Sequence, residues 1–248
     1  MRNIPEAVKQ LIILNVIFFI GTLVVGDVAY KLLSMYYPEN ANFQYWQVIS
    51  HMFMHGNFMH ILFNMYALFA FGSALEQFWG SKKFLFFYIS CGLGAALIHT
   101  GVNYYYFHDG LNTLLSNGFN KTEIISILNE GKFDTRWEQV LSTSDFQNFI
   151  SSFMTPVVGA SGAIYGVLVA FAFMFPNAEL MLLFVPFPIK AKYFVPGLIA
   201  LDLFSGVTGF SVFGGGIAHF AHVGGALFGF LIMWYWKKNQ FNDNRWDR

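Results

Sequence analysis

The chain has 248 residues, of which 56% are hydrophobic, 20% aromatic and only 11% charged. Soluble domains carry roughly 25% charged residues, so this composition excludes a typical water-soluble globule. Fourteen Lys and Arg residues balance fourteen Asp and Glu residues, which leaves no net positive field to attract nucleic acid. The composition therefore indicates an integral membrane protein that lies in a lipid bilayer and has no nucleic-acid partner.

Apolar runs of membrane-spanning length organise the sequence. A helix needs about 20 mostly apolar residues to cross the hydrocarbon core. Six nearly uncharged runs meet or approach that length, at residues 11–30, 58–79, 84–107, 158–175, 193–212 and 217–236. The first is longer than the apolar core of a signal peptide and is followed by no small-x-small cleavage site, so we expect a retained helix. The predicted fold is an all-α polytopic membrane protein with six spans in a single domain, residues 1–248.

The basic residues between these runs are unevenly distributed, and this predicts the orientation. One side of the membrane would hold most of the Lys and Arg residues: Arg2, Lys9, Lys82, Lys83, Lys190, Lys192, Lys237, Lys238, Arg245 and Arg248. The positive-inside rule then places both termini, including the tail 237–248, in the cytoplasm. Because the N-terminal sequence has no Arg-rich transit segment, we expect a bacterial inner membrane.

The longest gap between spans, residues 108–156, would be an external loop that joins helices three and four. Its segment 121–138 places Ile124, Ile125 and Leu128 at spacings that suit a short amphipathic helix. Loops of this length are usually functional or mobile. Two alternatives stay open here: a flexible insertion without a catalytic role, or a lid that screens substrates.

Four polar residues fall inside the predicted spans at a similar depth. His60 and Asn64 share one face of the second span, Ser161 begins the fourth, and His222 lies near the start of the sixth. Polar groups at membrane depth are costly unless they face the bundle interior or a water-filled cavity. We therefore treat the four as a candidate site near the external face.

The residue types suit hydrolysis of an acyl bond. A serine hydroxyl such as that of Ser161 becomes a nucleophile when a base takes its proton, and an imidazole such as that of His222 is the usual base near neutral pH. A developing oxyanion requires hydrogen-bond donors, which an imidazole, an Asn amide and a backbone N–H can supply. Ser161 alone would be read as a packing residue, because Ser is a common filler between membrane helices.

Small residues would bring the serine and histidine helices together. Gly162 and Gly166 on the fourth span, and Gly225 and Gly229 on the sixth, have the small-xxx-small spacing that allows close backbone approach. Tyr165, one turn after Ser161, would lie on the same face and could stack on the His222 ring.

Other polar residues are assigned supporting or structural roles. Asp202 and Glu76 fall too deep in their spans to orient His222, so no carboxylate is assigned that role; His51, His55 and His219 are expected to line the cavity or hold loops. The sequence has no HExxH motif and no acidic residue or Cys at a spacing that would complete a metal site with the histidines. We expect no metal and no cofactor, and Cys91 is expected to be a packing residue.

The segments GASGAIYG, HGNFMHILFN and AHFAHVGGALFG together resemble the rhomboid intramembrane serine proteases. The resemblance covers residues 46–236 apart from the long loop. It implies Ser161 as nucleophile, His222 as general base and then acid, and His60, Asn64 and the Ser161 backbone N–H as oxyanion donors. It also implies that Tyr165 stacks on the base, that Glu76 is structural, and that the substrates are transmembrane segments of other proteins.

Two features depart from the family pattern. Many members have a Trp-Arg pair in the first external loop, whereas Gln47 follows Trp46 here, and the connection between helices three and four is unusually long. A catalytically inactive rhomboid-like protein that binds membrane clients is the alternative function, although neither member of the Ser-His dyad is missing. A solute transporter is disfavoured because the sequence has no repeated halves.

Overall fold

The computed structural model describes residues 4–181, 188–210 and 218–239. The described chain is mostly helical and forms a membrane helical bundle. Its α-helices are α1 (Glu6–Val25), α2 (Asp27–Leu33), α3 (Gln47–Ser50), α4 (Phe58–Ala67), α5 (Ser73–Trp79), α6 (Ser81–Ser116), α7 (Lys121–Asn129), α8 (Thr143–Met154), α9 (Ser161–Met174), α10 (Ala191–Thr208) and α11 (His219–Asn239). Two-residue strands, β1 (Glu179–Leu180) and β2 (Ile189–Lys190), pair antiparallel, with Glu179 opposite Lys190.

Within the described residues, three helical segments are long and apolar enough to cross a membrane: Glu6–Val25, Phe58–Trp79 and Ser81–Ser116. The second is continuous because a π-helical turn, Leu68–Gly72, joins α4 to α5. The helix Ser161–Met174 is apolar but shorter. The count of six spans stays a prediction. Residues 211–212 and 217 of the predicted spans, residues 240–248 of the tail, and Arg2, Arg245 and Arg248 lie outside the described residues.

The first helix begins and ends earlier than the hydropathy pattern predicted. It starts at Glu6 and stops at Gly26, whose φ of 67° ends the helix before the short α2 begins. The carboxylate of Glu76 accepts hydrogen bonds from the backbone N–H groups of Ala7 and Val8, both at 2.8 Å. Glu76 is 3% exposed, so this carboxylate satisfies two first-turn donors that have no intrahelical acceptor.

The centre of the bundle is built by α6, α9 and α11, which pack together through small residues. A β-carbon at Gly162 would lie 2.5 Å from Ala95 Cβ, and one at Gly166 would lie 2.3 Å from Cys91 Sγ. Cys91 itself is fully buried in the main hydrophobic cluster. These contacts place α6 directly behind the first two turns of α9.

Residues 107–154 form a helical cap at one end of the bundle. Helix α6 continues to Ser116, and α7, a 3₁₀ segment (Thr135–Gln139) and α8 fold beside it. The cap has its own buried cluster, which includes Phe107, Leu111, Leu114, Ile124, Leu128, Trp137, Leu141, Phe149 and Phe153. The segment therefore has a hydrophobic core of its own. The amphipathic helix predicted over 121–138 ends at Asn129, with Ile124 and Leu128 buried and Ile125 only partly so.

The segment between α2 and α4 is anchored by Gln47, the residue that follows Trp46. Its buried side chain accepts from the Tyr36 and Gln44 N–H groups and donates to the Lys31 and Asn42 carbonyls. The neighbouring Trp46 indole N–H donates to the Leu32 carbonyl at 2.8 Å. A neutral amide thus holds this loop by hydrogen bonds alone.

The same segment is tied to the cap. The Asn40 side chain donates to the Phe153 carbonyl at 3.0 Å, and Asn129 Oδ1 accepts from the Ala41 N–H at 2.9 Å. His108 Nε2 lies 3.5 Å from a Glu39 carboxylate oxygen. The first loop and the cap therefore form one connected layer at this end of the bundle.

Candidate active site

Ser161 and His222 come together at the cap end of the bundle. Ser161 is the first residue of α9, and His222 lies in the first turn of α11. The Ser161 Oγ atom is 2.8 Å from His222 Nε2, within hydrogen-bond distance. The His222 side chain is 13% exposed, so the ring is mostly enclosed. The two residues predicted as nucleophile and base are thus placed in direct contact.

Glycine makes this contact possible. A β-carbon at Gly225 would lie 1.8 Å from the Gly162 carbonyl oxygen, and one at Gly229 would lie 2.7 Å from Gly166 Cα. Such overlaps are incompatible with any side chain at these positions unless the backbones separate. The two helices therefore touch backbone to backbone just below the Ser161–His222 pair.

Tyr165 lies beside His222 as the sequence predicts. The two rings are stacked, with centroids 4.2 Å apart and planes inclined by 13°. The Tyr165 hydroxyl donates a hydrogen bond to Asp202 Oδ2. Tyr165 thus contacts the imidazole with its face and holds the carboxylate with its hydroxyl.

Asp202 corrects the sequence interpretation, which placed it too deep to orient the base. Its Oδ1 atom lies 3.1 Å from His222 Nδ1 and 2.5 Å from His219 Nδ1, and the residue is only 4% exposed. The predicted span 193–212 put Asp202 at its midpoint, but α10 ends at Thr208. Six residues of helix are about 9 Å, so Asp202 lies close enough to the helix end to reach α11.

His60 presents a donor to the space beside Ser161. Its Nδ1 atom accepts from the Gly56 N–H at 3.4 Å, so the neutral ring carries its proton on Nε2. Gly159 has a φ of 125°, and a β-carbon there would lie 2.8 Å from His60 Nε2 and 3.6 Å from Ser161 Oγ. The Nε2–H group and the serine hydroxyl therefore face the same small volume, which only a glycine leaves open.

Asn64, one turn further along α4, is 7% exposed. Its Nδ2 group has no hydrogen-bond acceptor within the described ranges of the chain. Burying an amide without a hydrogen-bond partner lowers stability by about 1–3 kcal/mol, so an unpaired buried amide calls for an explanation such as a functional role. The backbone N–H of Ser161 is also in the first turn of a helix, where donors have no intrahelical acceptor.

His51 and His55 lie behind these groups, in the loop before α4. The His51 ring Nδ1–H donates to the Gln47 carbonyl at 2.8 Å, and the His51 carbonyl accepts from the Gly159 N–H at 2.9 Å. The His55 ring lies edge-on to His60, with centroids 5.0 Å apart. Burial lowers the pKa of His51 and of His55 to about 4, so both rings are neutral at pH 7.

The proximity of Asp202, His219 and His222 corrects a second expectation, that no acidic residue joins the histidines. Potential ligand atoms of the three side chains lie within 4.8 Å of one another. Both imidazole Nδ1 atoms, however, point at the same Asp202 oxygen at hydrogen-bond distance. Hydrogen bonds account for this arrangement without an ion.

The comparisons with known proteins point to one family. A model of the Rhomboid domain matches residues 42–117 and 138–239, and the gap between these matches falls within the cap. The chain is 28% identical to the rhomboid protease AarA of Providencia stuartii over 198 residues, which are 76% of this chain and 54% of that protein.

Two mitochondrial proteins are also similar. Rhomboid protein 1 of Saccharomyces cerevisiae is 25% identical over 77% of this chain and 42% of its own length. Presenilin-associated rhomboid-like protein of Rattus norvegicus is 32% identical over 56% of this chain and 36% of its own length. The matches thus span between about a third and about half of these three relatives. Since the family model matches well over half of the chain, this protein belongs to the rhomboid family.

Proposed function

We propose that this protein is a serine endopeptidase that cleaves transmembrane segments of other membrane proteins near the cap end of the bundle. The observation that supports this most directly is the 2.8 Å contact between Ser161 Oγ and His222 Nε2. A serine hydroxyl that donates to an unprotonated imidazole nitrogen is the arrangement required for nucleophilic attack. The chain belongs to a family that includes a protein named as a rhomboid protease.

During acylation, a proton would move from Ser161 to His222 and then from His222 to the leaving group. Ser161 Oγ attacks the carbonyl carbon of the scissile peptide bond while its proton passes to His222 Nε2. The tetrahedral intermediate collapses as the C–N bond breaks, and His222 returns the proton to the departing amine. The products of this step are an acyl ester on Ser161 and the released C-terminal part of the substrate.

Three donors are suited to the developing oxyanion. The His60 Nε2–H faces the volume beside Ser161 Oγ, the Asn64 amide lacks an acceptor among the described residues, and the Ser161 N–H lies at the start of a helix. Removing one such donor from a hydrolase typically costs about 100-fold to 1,000-fold in kcat. We assign these three groups to the oxyanion site.

Hydrolysis of the ester would complete the cycle. A water molecule gives a proton to His222 and its oxygen to the acyl carbon, and the Ser161 Oγ leaves as the hydroxyl. No cofactor is required for either step, so we expect activity to survive treatment with EDTA. A helical substrate must unwind locally first, and we expect small residues or weak helix formers near the scissile bond.

The uneven distribution of basic residues supports an orientation with both termini in the cytoplasm and the cap on the opposite side. We propose a single rhomboid domain with the cap as an insertion, located in a bacterial inner membrane. Single cysteines introduced at Asn129 in the cap and at Lys238 near the C-terminal end would test the orientation. A membrane-impermeant thiol reagent on intact cells should label the first position and not the second.

The experiment that tests the function compares wild type, Ser161→Ala and His222→Ala as purified proteins in liposomes with a single-span reporter. We expect cleavage by wild type only, and labelling of wild type at Ser161 by a fluorophosphonate. Equal cleavage by Ser161→Ala would exclude Ser161 as nucleophile. Binding of the reporter without cleavage or labelling by any of the three would favour the client-binding alternative.

A further inference from the structure

We propose that Asp202 is the positioning residue of this active site, and that it fixes the tautomer and orientation of His222 so that Ser161, His222 and Asp202 act as a triad. This inference rests on the proposed function. The three side chains come from different helices, α9, α11 and α10. They form one chain of hydrogen bonds, from Ser161 Oγ through the two ring nitrogens of His222 to Asp202 Oδ1.

The carboxylate determines which imidazole nitrogen carries the proton. Carboxylate oxygens only accept hydrogen bonds, so the His222 Nδ1 atom 3.1 Å from Asp202 Oδ1 must be protonated. In the neutral ring, Nε2 then has a free lone pair directed at the Ser161 hydroxyl. A ring protonated on Nε2 instead would be unable to accept the serine proton. The negative charge also stabilises the imidazolium that forms during acylation.

Asp202 is itself held in place by two further donors. His219 Nδ1 lies 2.5 Å from the same oxygen, and the Tyr165 hydroxyl donates to the other oxygen. The Asp202 side chain is 5% exposed. It is therefore a buried carboxylate, and it accepts three hydrogen bonds. Asp202 therefore contacts both His222 and Tyr165, the residue that stacks on His222. A purely structural acid would not need both contacts. Tyr165 thus fixes His222 twice, by stacking and through Asp202.

The test uses the full chain in liposomes and compares Asp202→Asn with wild type. The expected result is a loss of at least about 100-fold in kcat with KM changed by less than about twofold. The control is Ser205→Ala, which alters another buried residue of α10 and should leave kcat unchanged. Thermal unfolding of each variant shows whether the protein is folded, and Asp202→Glu is expected to recover part of the activity.

The split between kcat and KM separates positioning from a structural role. A substitution that only disturbed the fold would lower the thermal midpoint, whereas loss of a positioning residue lowers kcat in a protein that is still folded. Unchanged kcat in a folded Asp202→Asn variant would overturn the proposal.

A second measurement does not depend on activity. In ¹⁵N-histidine spectra of the wild-type protein, His222 should be the Nδ1–H tautomer at neutral pH, and this signature should be lost or weakened in Asp202→Asn. If wild type neither cleaves the reporter nor reacts with a fluorophosphonate, the proposed function fails, and the spectra still decide the role of Asp202. A neutral wild-type His222 that carries its proton on Nε2 would contradict the role proposed for Asp202.

Discussion

Gly225 lies directly against the carbonyl of Gly162, so closely that a β-carbon at Gly225 would sit 1.8 Å from that oxygen. Since Ser161 precedes Gly162 and His222 is one turn before Gly225, this contact sets the distance between the proposed nucleophile and base. Because neither glycine has a side chain, the two helices lie at the separation that lets Ser161 Oγ contact His222 Nε2.

The first prediction follows from this contact. Gly225→Ala should force the helices apart, lower kcat by more than about 100-fold and reduce the thermal midpoint, because overpacking typically costs about 1–3 kcal/mol. The matched control is Gly101→Ala, where a β-carbon would meet nothing within 4 Å. That control should retain full activity and be as stable as wild type or more so. Normal activity in Gly225→Ala would contradict the assigned packing.

The second prediction concerns Asn64. Its unpaired Nδ2 contributes no hydrogen bond to the fold of the described residues, so Asn64→Ala should lower kcat by about 100-fold while KM and the thermal midpoint change little. Asn15, a buried amide on α1 that donates to the Leu11 carbonyl, provides the control. Asn15→Ala should keep kcat near the wild-type value. A rise in KM with unchanged kcat in Asn64→Ala would argue against a role as oxyanion donor.

The third prediction separates backbone strain from crowding of the site. Gly159→Ala should abolish most cleavage, because the new methyl group would lie 2.8 Å from His60 Nε2 and fill the volume beside Ser161 Oγ. Gly118 also has a positive φ, of 87°, but faces open space. Gly118→Ala should therefore lose about 1 kcal/mol of stability without loss of kcat. Equal effects of the two substitutions on kcat would mean that crowding is unimportant.

The fourth prediction concerns the cap. Phe149 is fully buried and stacks on Phe107, with centroids 5.4 Å apart. Phe149→Ala should destabilise the cap by about 3–5 kcal/mol and expose the backbone around Lys132 and Arg136 to trypsin. Wild type and a surface control, Leu115→Ala, should resist cleavage there under native conditions. Rapid cutting of wild type at these residues would show that the cap is not stably packed.

The fifth prediction is a pH dependence of stability. Burial lowers the pKa of His51 to about 4, below the value of about 6.5 in an unfolded chain. The unfolded state therefore binds a proton first, and the contribution of His51 to stability is lost as pH falls from about 6.5 towards 4. His51→Asn, which keeps a donor near the Gln47 carbonyl, should show a smaller drop in thermal midpoint between pH 7 and 4.5. An identical drop would assign the acid sensitivity to other groups, such as His55.

The sequence predicted the elements of the site better than their arrangement. Glycine spacing on two apolar helices, together with polar residues at matching depth, led to the expectation that Ser161 approaches His222, because small residues allow close backbone packing. Asp202 was misplaced because hydropathy alone does not mark the end of α10, and a shift of a few residues changes depth by several ångströms. The π-helical turn at Leu68–Gly72 had no signal in the sequence, because these five residues continue the apolar run without a break.

The cap illustrates the same limitation. Ile124 and Leu128 indicated an amphipathic helix, but the partners that bury them come from three other elements, α6, α8 and the 3₁₀ segment. The role of Gln47 was likewise hidden, since a single polar residue has no pattern that reveals the five backbone groups its side chain contacts. Both features depend on apolar contacts and hydrogen bonds with other segments of the chain. Local periodicity in the sequence carries no information about such contacts.

The length of α6 lets one helix contact both the cap and the helix that begins at Ser161. Its 36 residues extend about 54 Å, whereas a bilayer hydrocarbon core is about 30 Å thick. One end of this rod lies in the cap, and its middle presses Cys91 and Ala95 against the glycines that follow Ser161. One continuous helix therefore joins the hydrophobic core of the cap to the helix that begins at Ser161.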